Sequence, residues 1–336
     1  MSVFGLATHA GRRRSSGEKD RGEEPMRAAR KAVSEATEVV RPVGIGLALP
    51  RAAPLTDALL APAACDVRTS EFQELRASLF YELPRLVEEL PPSERLQIGA
   101  HELVVARDHP ERCALRRDGF VPSPRRCRRA IGVAAVERCV RGRASTPQTA
   151  VAEVLESGVE DLAAAARAQG GQSPPWWAEW YAGLALGGRA TVQAEALTWA
   201  TQLWTALDWC RFERPPVIGG RDDWWDCPGR RQLAVRGRAE VRAWAGSRPA
   251  MLVVAAGSPG TGWRAELAQR ALVVALARGE GPIPARVVGL WPTSGLVRIC
   301  EVDITALHEA AAALVSAVGT WVNALVGSRH GDPVEC

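Results

Sequence analysis

Residues 251–278 read MLVVAAGSPGTGWRAELAQRALVVALAR, and this stretch decides the fold. Its beginning, Met251–Ala256, is a continuous apolar run with the length of a buried strand. A loop with three glycines follows, and Trp263–Arg278 then carries apolar residues at helical spacing. A strand, a turn and a helix in this order predict one unit of an α/β sheet.

The residues before this unit show a strand pattern of another kind. From Leu233 to Ala243, apolar or small residues alternate with Arg236, Arg238, Glu240 and Arg242. This period of two predicts one half-buried strand with its charged side chains on a single solvated face.

Further elements extend the pattern in both directions. Ala285–Trp291 and Leu296–Val302 predict two more strands, and Thr305–Val326 predicts a final helix. Up to Cys210 the patterns are mainly helical, although LQIGAHELVVA at 96–106 predicts a strand or a pair of strands and Gly158 predicts the end of a helix. The predicted fold class is α/β (α+β), with a helical N-terminal part packed on a small mixed sheet. The predicted domains are a disordered tail (1–42), a mainly helical region (43–210), an α/β core (211–326) and a C-terminal tail (327–336).

The composition excludes several chemistries. The only lysines are Lys19 and Lys31, both in the N-terminal tail, so the body has no ε-amino group for P-loop phosphate binding or a Schiff base. The eight cysteines form no CxxC pair, which argues against a zinc site and a disulfide framework. Because no signal-peptide pattern and no apolar run of about 20 residues is present, we expect a cytoplasmic protein without a membrane partner.

Three segments of the C-terminal half resemble the motifs of the PD-(D/E)XK nuclease superfamily, in particular its RecB/Cas4-like branch. Gly237–Glu240 (GRAE) stands where that branch has Gly-Arg-x-Asp. Ala255–Gly257 (AAG) stands where it has Asp-x-Lys, and Glu266–Leu276 where it has a helix beginning near a glutamine. Upstream, Phe120–Cys127 (FVPSPRRC) resembles the SPSR segment of RecB-like nucleases. The resemblance spans Leu233 to Val326 and implies a restriction-endonuclease-like core flanked by helices.

The same resemblance implies that catalysis by the usual route has been lost. The family uses two carboxylates on adjacent strands to hold Mg²⁺ and a nearby lysine. Glu240 can replace the first carboxylate, but Ala255 and Gly257 stand where the second acid and the lysine are expected. We therefore expect no cofactor, and Mg²⁺ or Mn²⁺ only if the protein is an active nuclease.

Arginines are concentrated in residues 112–143, with ten of them against Asp118 and Glu137. Guanidinium groups bind phosphate oxygens in a bidentate manner, which suits a nucleic-acid backbone. A solvated charged face is the plain alternative. The predicted nucleic-acid-binding residues are Arg116, Arg117, Arg125, Arg126, Arg128, Arg129, Arg236, Arg238 and Arg242.

Tryptophans are also frequent, with eight of the twelve between Trp176 and Trp225. Helical spacing favours core packing for most of them. Two pairs of tryptophans are adjacent in sequence, Trp176-Trp177 and Trp224-Trp225. The two members of a pair cannot both be fully buried on one face of an element, so one member of each pair is expected at an interface.

Three functional hypotheses follow. The preferred one is a catalytically degenerate nuclease-like protein that binds DNA, or a DNA-processing partner such as a helicase or recombination protein. The second is an active metal-dependent nuclease with relocated ligands, in which Glu240 and Glu266 are catalytic and Glu240, Asp222 and Asp223 hold the metal, with Asp226 nearby. Glu240 has a simpler interpretation as a solvated salt-bridge partner. The third hypothesis is a scaffold whose tryptophans face a partner protein.

Overall fold

The computed structural model describes residues 52–115, 123–167, 175–219, 222–255, 257–279 and 281–330. The predicted tail 1–42 and the last six residues lie outside these ranges. The described chain has a mixed architecture of helices and two small sheets, which confirms the predicted α+β class.

Nine α-helices and two 3₁₀ turns alternate with the strands in the described residues. The helices are α1 (Ala52–Leu60), α2 (Thr69–Leu86), α3 (Ala100–Asp108), α4 (Pro124–Val140), α5 (Pro147–Arg167), α6 (Trp176–Ala182), α7 (Leu186–Ala206), α8 (Trp263–Arg278) and α9 (Ile304–His330). The 3₁₀ turns are Pro110–Leu115 and Trp209–Arg211.

The strands form two sheets. They are β1 (Leu96–Ile98), β2 (Val217–Ile218), β3 (Asp223–Asp226), β4 (Leu233–Gly237), β5 (Val241–Ala245), β6 (Arg248–Val254), β7 (Arg286–Trp291) and β8 (Leu296–Glu301). The larger sheet has the order β2-β5-β6-β7-β8, and the smaller one has the order β1-β4-β3. All neighbours are antiparallel except β6 with β7 and β1 with β4. Helix α8 makes the crossover between β6 and β7.

Strand β6 explains the continuous apolar run that begins at Met251. Ala250 and Leu252 belong to one hydrophobic core, and Met251 and Val253 belong to another on the opposite face of the sheet. Helices α1 and α4 to α7 contribute to the first core, and α2, α3, α8 and α9 contribute to the second. A strand covered on both faces has no solvated side, so its sequence shows no alternation.

The prediction of one strand over Leu233–Ala243 is wrong. Strand β4 ends at Gly237 and pairs in the smaller sheet, whereas β5 starts at Val241 and pairs in the larger one. The chain changes sheets at Arg238–Glu240. A period of two specifies which residues share a face, but it does not specify which neighbour each half of the run will pair with.

Two further local predictions are wrong for physical reasons. The predicted strand 96–106 is strand β1 followed by helix α3, because the carboxylate of Glu102 accepts a hydrogen bond from the Gly99 N–H (2.8 Å) and caps the helix. Helix α5 continues through Gly158. A Cβ atom there would lie 2.2 Å from Cη2 of Trp177, so this glycine permits the close packing of helices α5 and α6.

Helix α9 contains a stretch, Ile304–Gly327, that is long and apolar enough to cross a membrane by length and composition. One side of it, which includes Leu307, Leu314 and Val318, is buried in the core shared with α2, α3 and α8. In this structure the helix therefore serves as a core element.

Candidate functional site

A cleft of about 420 Å³ opens where helices α3, α4 and α8 meet the carboxyl ends of β4 and β6. Its wall contains many more cationic than anionic side chains. We call it the arginine cleft, after Arg107, Arg125, Arg129, Arg236, Arg238 and Arg270. Two carboxylates, Asp108 and Glu266, also line it, together with His101, Ala255, Ser258 and Gln269.

Close packing of α8 on β4 brings the helix to the cleft. A Cβ atom at Gly237 would lie 3.0 Å from Cβ of Val273 and 3.2 Å from the carbonyl oxygen of Arg270, so only a residue without a side chain fits easily. Gln269, fully buried, donates from Nε2 to the carbonyl oxygen of Arg236 (3.1 Å). Its Oε1 has no hydrogen-bond partner among the described residues.

Both carboxylates of the cleft are paired with the same arginine. Arg107 Nε lies 2.7 Å from Asp108 Oδ1, and Arg107 Nη2 lies 3.1 Å from Glu266 Oε1. The hydrogen bond from Arg107 lowers the pKa of Asp108, so this carboxylate stays ionised. Five arginines of the cleft wall therefore have no carboxylate partner within that wall.

Glu240 lies behind the cleft wall and not in it. Its side chain is buried, Oε2 accepts a hydrogen bond from the Val254 N–H (2.7 Å), and the carboxylate pairs with the guanidinium of Arg129 from α4. The interpretation of Glu240 as a solvated salt-bridge partner is therefore wrong about its exposure. This ion pair links the bend between the two sheets to the helical part of the chain.

The acidic residues near β3 do not converge on a common point. The carboxylate of Asp222 lies 3.9 Å from the guanidinium of Arg236 and 3.6 Å from that of Arg238. The carboxylate of Asp223 lies 2.5 Å from the guanidinium of Arg242, and that of Asp226 lies 2.5 Å from the guanidinium of Arg95. Asp223 and Asp226 lie at the two ends of strand β3. Within the described part of the chain, no three histidine, cysteine or carboxylate side chains form a group that would hold a metal ion.

Burial lowers arginine pKa values at this site, and neighbouring cations add to the effect. Burial lowers the pKa of Arg238, and it lowers the pKa of Arg270 to about 10. Burial and the neighbouring charges of Arg238 and Arg270 also act to lower the pKa of Arg129. The positive charges are therefore held close together at an electrostatic cost, which a bound anion would relieve.

A second pocket of about 340 Å³ adjoins the arginine cleft. The two share Arg125, Arg129, Val254 and Ala255. We call it the tryptophan pocket, because Trp199 supplies its aromatic wall. Its other lining residues are Arg128, Ala194, Glu195, Thr198, Gln202, Pro292 and Thr293.

The predicted nucleic-acid-binding arginines divide into several groups. Four line the arginine cleft: Arg125, Arg129, Arg236 and Arg238. Arg128 lines the tryptophan pocket and pairs with Glu195 at 3.2 Å, Arg126 is exposed at the start of α4, and Arg242 pairs with Asp223. Arg116 and Arg117 lie outside the described residues.

Sequence reasoning missed Arg107 and Arg270. Arg270 follows the candidate residue Glu266 by four positions on α8, and residues at this spacing share one helix face. That spacing was a usable signal. Arg107 had no such signal, because α3 was predicted as a strand.

The tryptophan pairs follow the prediction. Trp177 and Trp225 are buried, at 6% and 5% exposure, whereas Trp176 and Trp224 are exposed at 40% and 39%. The guanidinium of Arg236 lies over the ring of Trp224, with a distance of 5.7 Å to the ring centroid.

Comparison with protein-family models, with curated proteins and with solved structures finds no match for this chain. The function is therefore argued from the geometry of the cleft.

Proposed function

We propose that the protein is a catalytically degenerate, nuclease-like protein that binds the phosphate backbone of DNA or another nucleic acid in the arginine cleft. The observation that carries the proposal is the charge of the cleft. Six arginines line it, and four carboxylates pair with members of this set: Asp108 and Glu266 with Arg107, Glu240 with Arg129, and Asp222 with Arg236 and Arg238. The arginines therefore remain in excess. Arginine is the residue that best matches phosphate geometry, and its charge persists at neutral pH.

The position of the cleft supports the nuclease-like part of the proposal. The segments that resemble the family motifs are separated in sequence, yet Arg238, Ala255, Glu266 and Gln269 line one cavity. In a family of this kind the same convergence would place the carboxylates around a metal ion. The restriction-endonuclease-like assignment is part of this proposal.

The side chains present do not fit the divalent metal that an active member of such a family would hold. Glu240 is buried and paired with Arg129, and Ala255 supplies no carboxylate. Glu266 faces Arg107. Because a guanidinium stands beside the carboxylate that a metal would need, we assign no hydrolytic step to the cleft.

A charge change at Ala255 tests the proposal, because this residue lines both cavities and its side chain is small. Ala255→Asp puts a carboxylate among the arginines, whereas Ala255→Asn has nearly the same shape without the charge. We expect Ala255→Asp to weaken binding of a labelled DNA strand by roughly tenfold or more, and Ala255→Asn to change it little.

The measurement is fluorescence anisotropy over a range of salt concentrations, since phosphate binding becomes weaker as salt rises. Absence of binding by the unmodified protein at low salt would remove the nucleic-acid proposal. In parallel, incubation of the protein with labelled DNA and Mn²⁺ should leave the DNA intact. Cleavage that Glu240→Gln abolishes would instead favour the active nuclease with relocated ligands.

A further inference from the structure

We infer that the tryptophan pocket binds an unpaired base of the strand whose phosphate lies in the arginine cleft, so that the ligand is a single-stranded nucleic acid. This inference rests on the proposed function and adds the ligand class. Comparison of normal and abasic strands distinguishes failure of the base pocket from failure of the proposed phosphate-binding function.

Continuity of the two cavities is the first support. Arg125 and Arg129 on one side, and Val254 and Ala255 on the other, line both of them. A ligand whose phosphate is held by Arg125 has its neighbouring group at the entrance of the tryptophan pocket. In a nucleotide, that neighbouring group is the sugar with its base.

The chemistry of the second cavity is the next support. The arginine cleft has a wall of guanidinium groups, whereas the tryptophan pocket presents the indole face of Trp199. Flat apolar faces of this kind stack on a nucleobase of any sequence. The amide of Gln202 and the hydroxyl groups of Thr198 and Thr293 provide polar groups at the same wall.

The indole of Trp199 packs directly on helix α4. A Cβ atom at Gly132 of α4 would lie 2.6 Å from Cε3 of Trp199, so the absence of a side chain at Gly132 lets the ring lie directly on that helix. A ring positioned by its packing loses little conformational freedom when a base stacks on it. The pocket is thus a preformed surface.

Duplex DNA does not satisfy this arrangement, because its bases are already stacked and paired. An unpaired base enters a side pocket without that cost. The pocket volume of about 340 Å³ lies in the range of small-molecule sites, which suits one base and its sugar.

The test compares two labelled strands of about 12 nucleotides, a length within the usual site size of single-strand-binding proteins. One is a normal oligothymidylate, and the other carries abasic sites throughout. Both have the same phosphates, so they differ only in the bases. We expect the unmodified protein to bind the normal strand about tenfold more tightly than the abasic one.

Variants of one helix provide the control. Trp199→Leu keeps an apolar side chain but removes the aromatic face, and it should abolish the difference between the two strands. Trp199→Phe should keep most of it. Trp204 is also partly buried on α7, but it stacks on Trp209 with a centroid distance of 5.6 Å, so Trp204→Leu should leave the difference unchanged.

Each result of the binding experiment bears on a particular part of the proposal. Equal affinity of the unmodified protein for normal and abasic strands overturns the base pocket and leaves the phosphate cleft standing. A difference that persists in Trp199→Leu also overturns it, because the base is then bound elsewhere. Tighter binding of duplex than of the normal strand contradicts the ligand class, and no binding of any strand overturns the proposed function as well.

Discussion

Helix α4 carries arginines of two kinds, and their surroundings differ although the side chains are identical. Arg138 lies 3.4 Å from Glu153 and donates to the hydroxyl of Ser157 at 3.1 Å, both on helix α5. Arg125 lines the arginine cleft and has no carboxylate within ion-pair distance among the described residues. One arginine thus connects two helices, and the other leaves its charge available to a ligand.

This difference teaches that a count of arginines is a poor guide to binding. The charge of Arg138 is largely compensated within the helical layer. The cleft arginines come from α3, α4, α8 and the end of β4, and the convergence of these elements leaves them in excess over the carboxylates that pair with them. Surface ion pairs contribute little to stability, so the two kinds are best distinguished by their effect on binding.

The largest expected effect comes from breaking the buried pair that supports the cleft. Glu240→Ala leaves the Val254 N–H without its acceptor and Arg129 without its partner. We expect the free energy of unfolding to fall by about 3 kcal/mol, as when one member of a buried ion pair is removed. Urea denaturation measures this loss.

Two variants sharpen that result. Glu240→Gln keeps an acceptor for the Val254 N–H and should lose clearly less stability. Glu195→Ala removes the partner of Arg128 on a more exposed surface, and should cost less than about 1 kcal/mol. Equal losses for Glu240→Ala and Glu195→Ala would contradict the structural role assigned to Glu240.

The second effect concerns a cleft arginine. Arg125→Ala should weaken binding of a single strand about fivefold, and reduce the slope of log affinity against log salt by about 0.7, as expected for one lost phosphate contact. The measurement is a salt titration by anisotropy. Arg298→Ala is the control, because Arg298 is exposed on β8 and does not line the cleft. The same slope for both variants would remove Arg125 from the interface.

A third effect is the dependence of strand affinity on pH. Burial lowers the pKa of Arg270 to about 10, so this guanidinium is charged at pH 8 and loses its proton in the folded protein above about pH 10. Affinity for the strand should therefore fall as the pH rises through that value.

Over the same pH range, the free energy of unfolding changes in the opposite direction to the affinity. The unfolded chain keeps the ordinary, higher arginine pKa, so it binds more protons than the folded chain above about pH 10, and the contribution of Arg270 to stability rises with pH there. Arg270→Gln should remove the alkaline decrease in affinity. A decrease that persists in this variant would assign it to another group.

The smallest effect is expected at the compensated arginine. Arg138→Ala should leave strand affinity unchanged and lower the free energy of unfolding by less than about 1 kcal/mol, since both partners are partly exposed. Anisotropy and urea denaturation measure the two quantities. A loss of affinity similar to that of Arg125→Ala would break the comparison between the two kinds of arginine.

Part of the site was predictable from local sequence. Arg125 and Arg129 are four positions apart on one helix, a spacing that puts two residues on a common face, and both line the arginine cleft. Glu240 was predicted as a metal ligand or a solvated ion-pair partner, and its burial was not foreseen. The reason is that its partner Arg129 is distant in the chain, and no periodic pattern carries information on such a pair.

The sequence by itself determined the α+β class, the absence of lysine chemistry from the body, and the exposure of one tryptophan in each adjacent pair. These properties follow from composition or from periodicity, and both are local. Only the tertiary structure decided that the run from Leu233 changes sheets before Val241, and that the carboxylate of Glu240 forms a buried ion pair with Arg129. It also decided which arginines share a cleft, because charge at a site depends on the elements that converge there and on the carboxylates they bring with them.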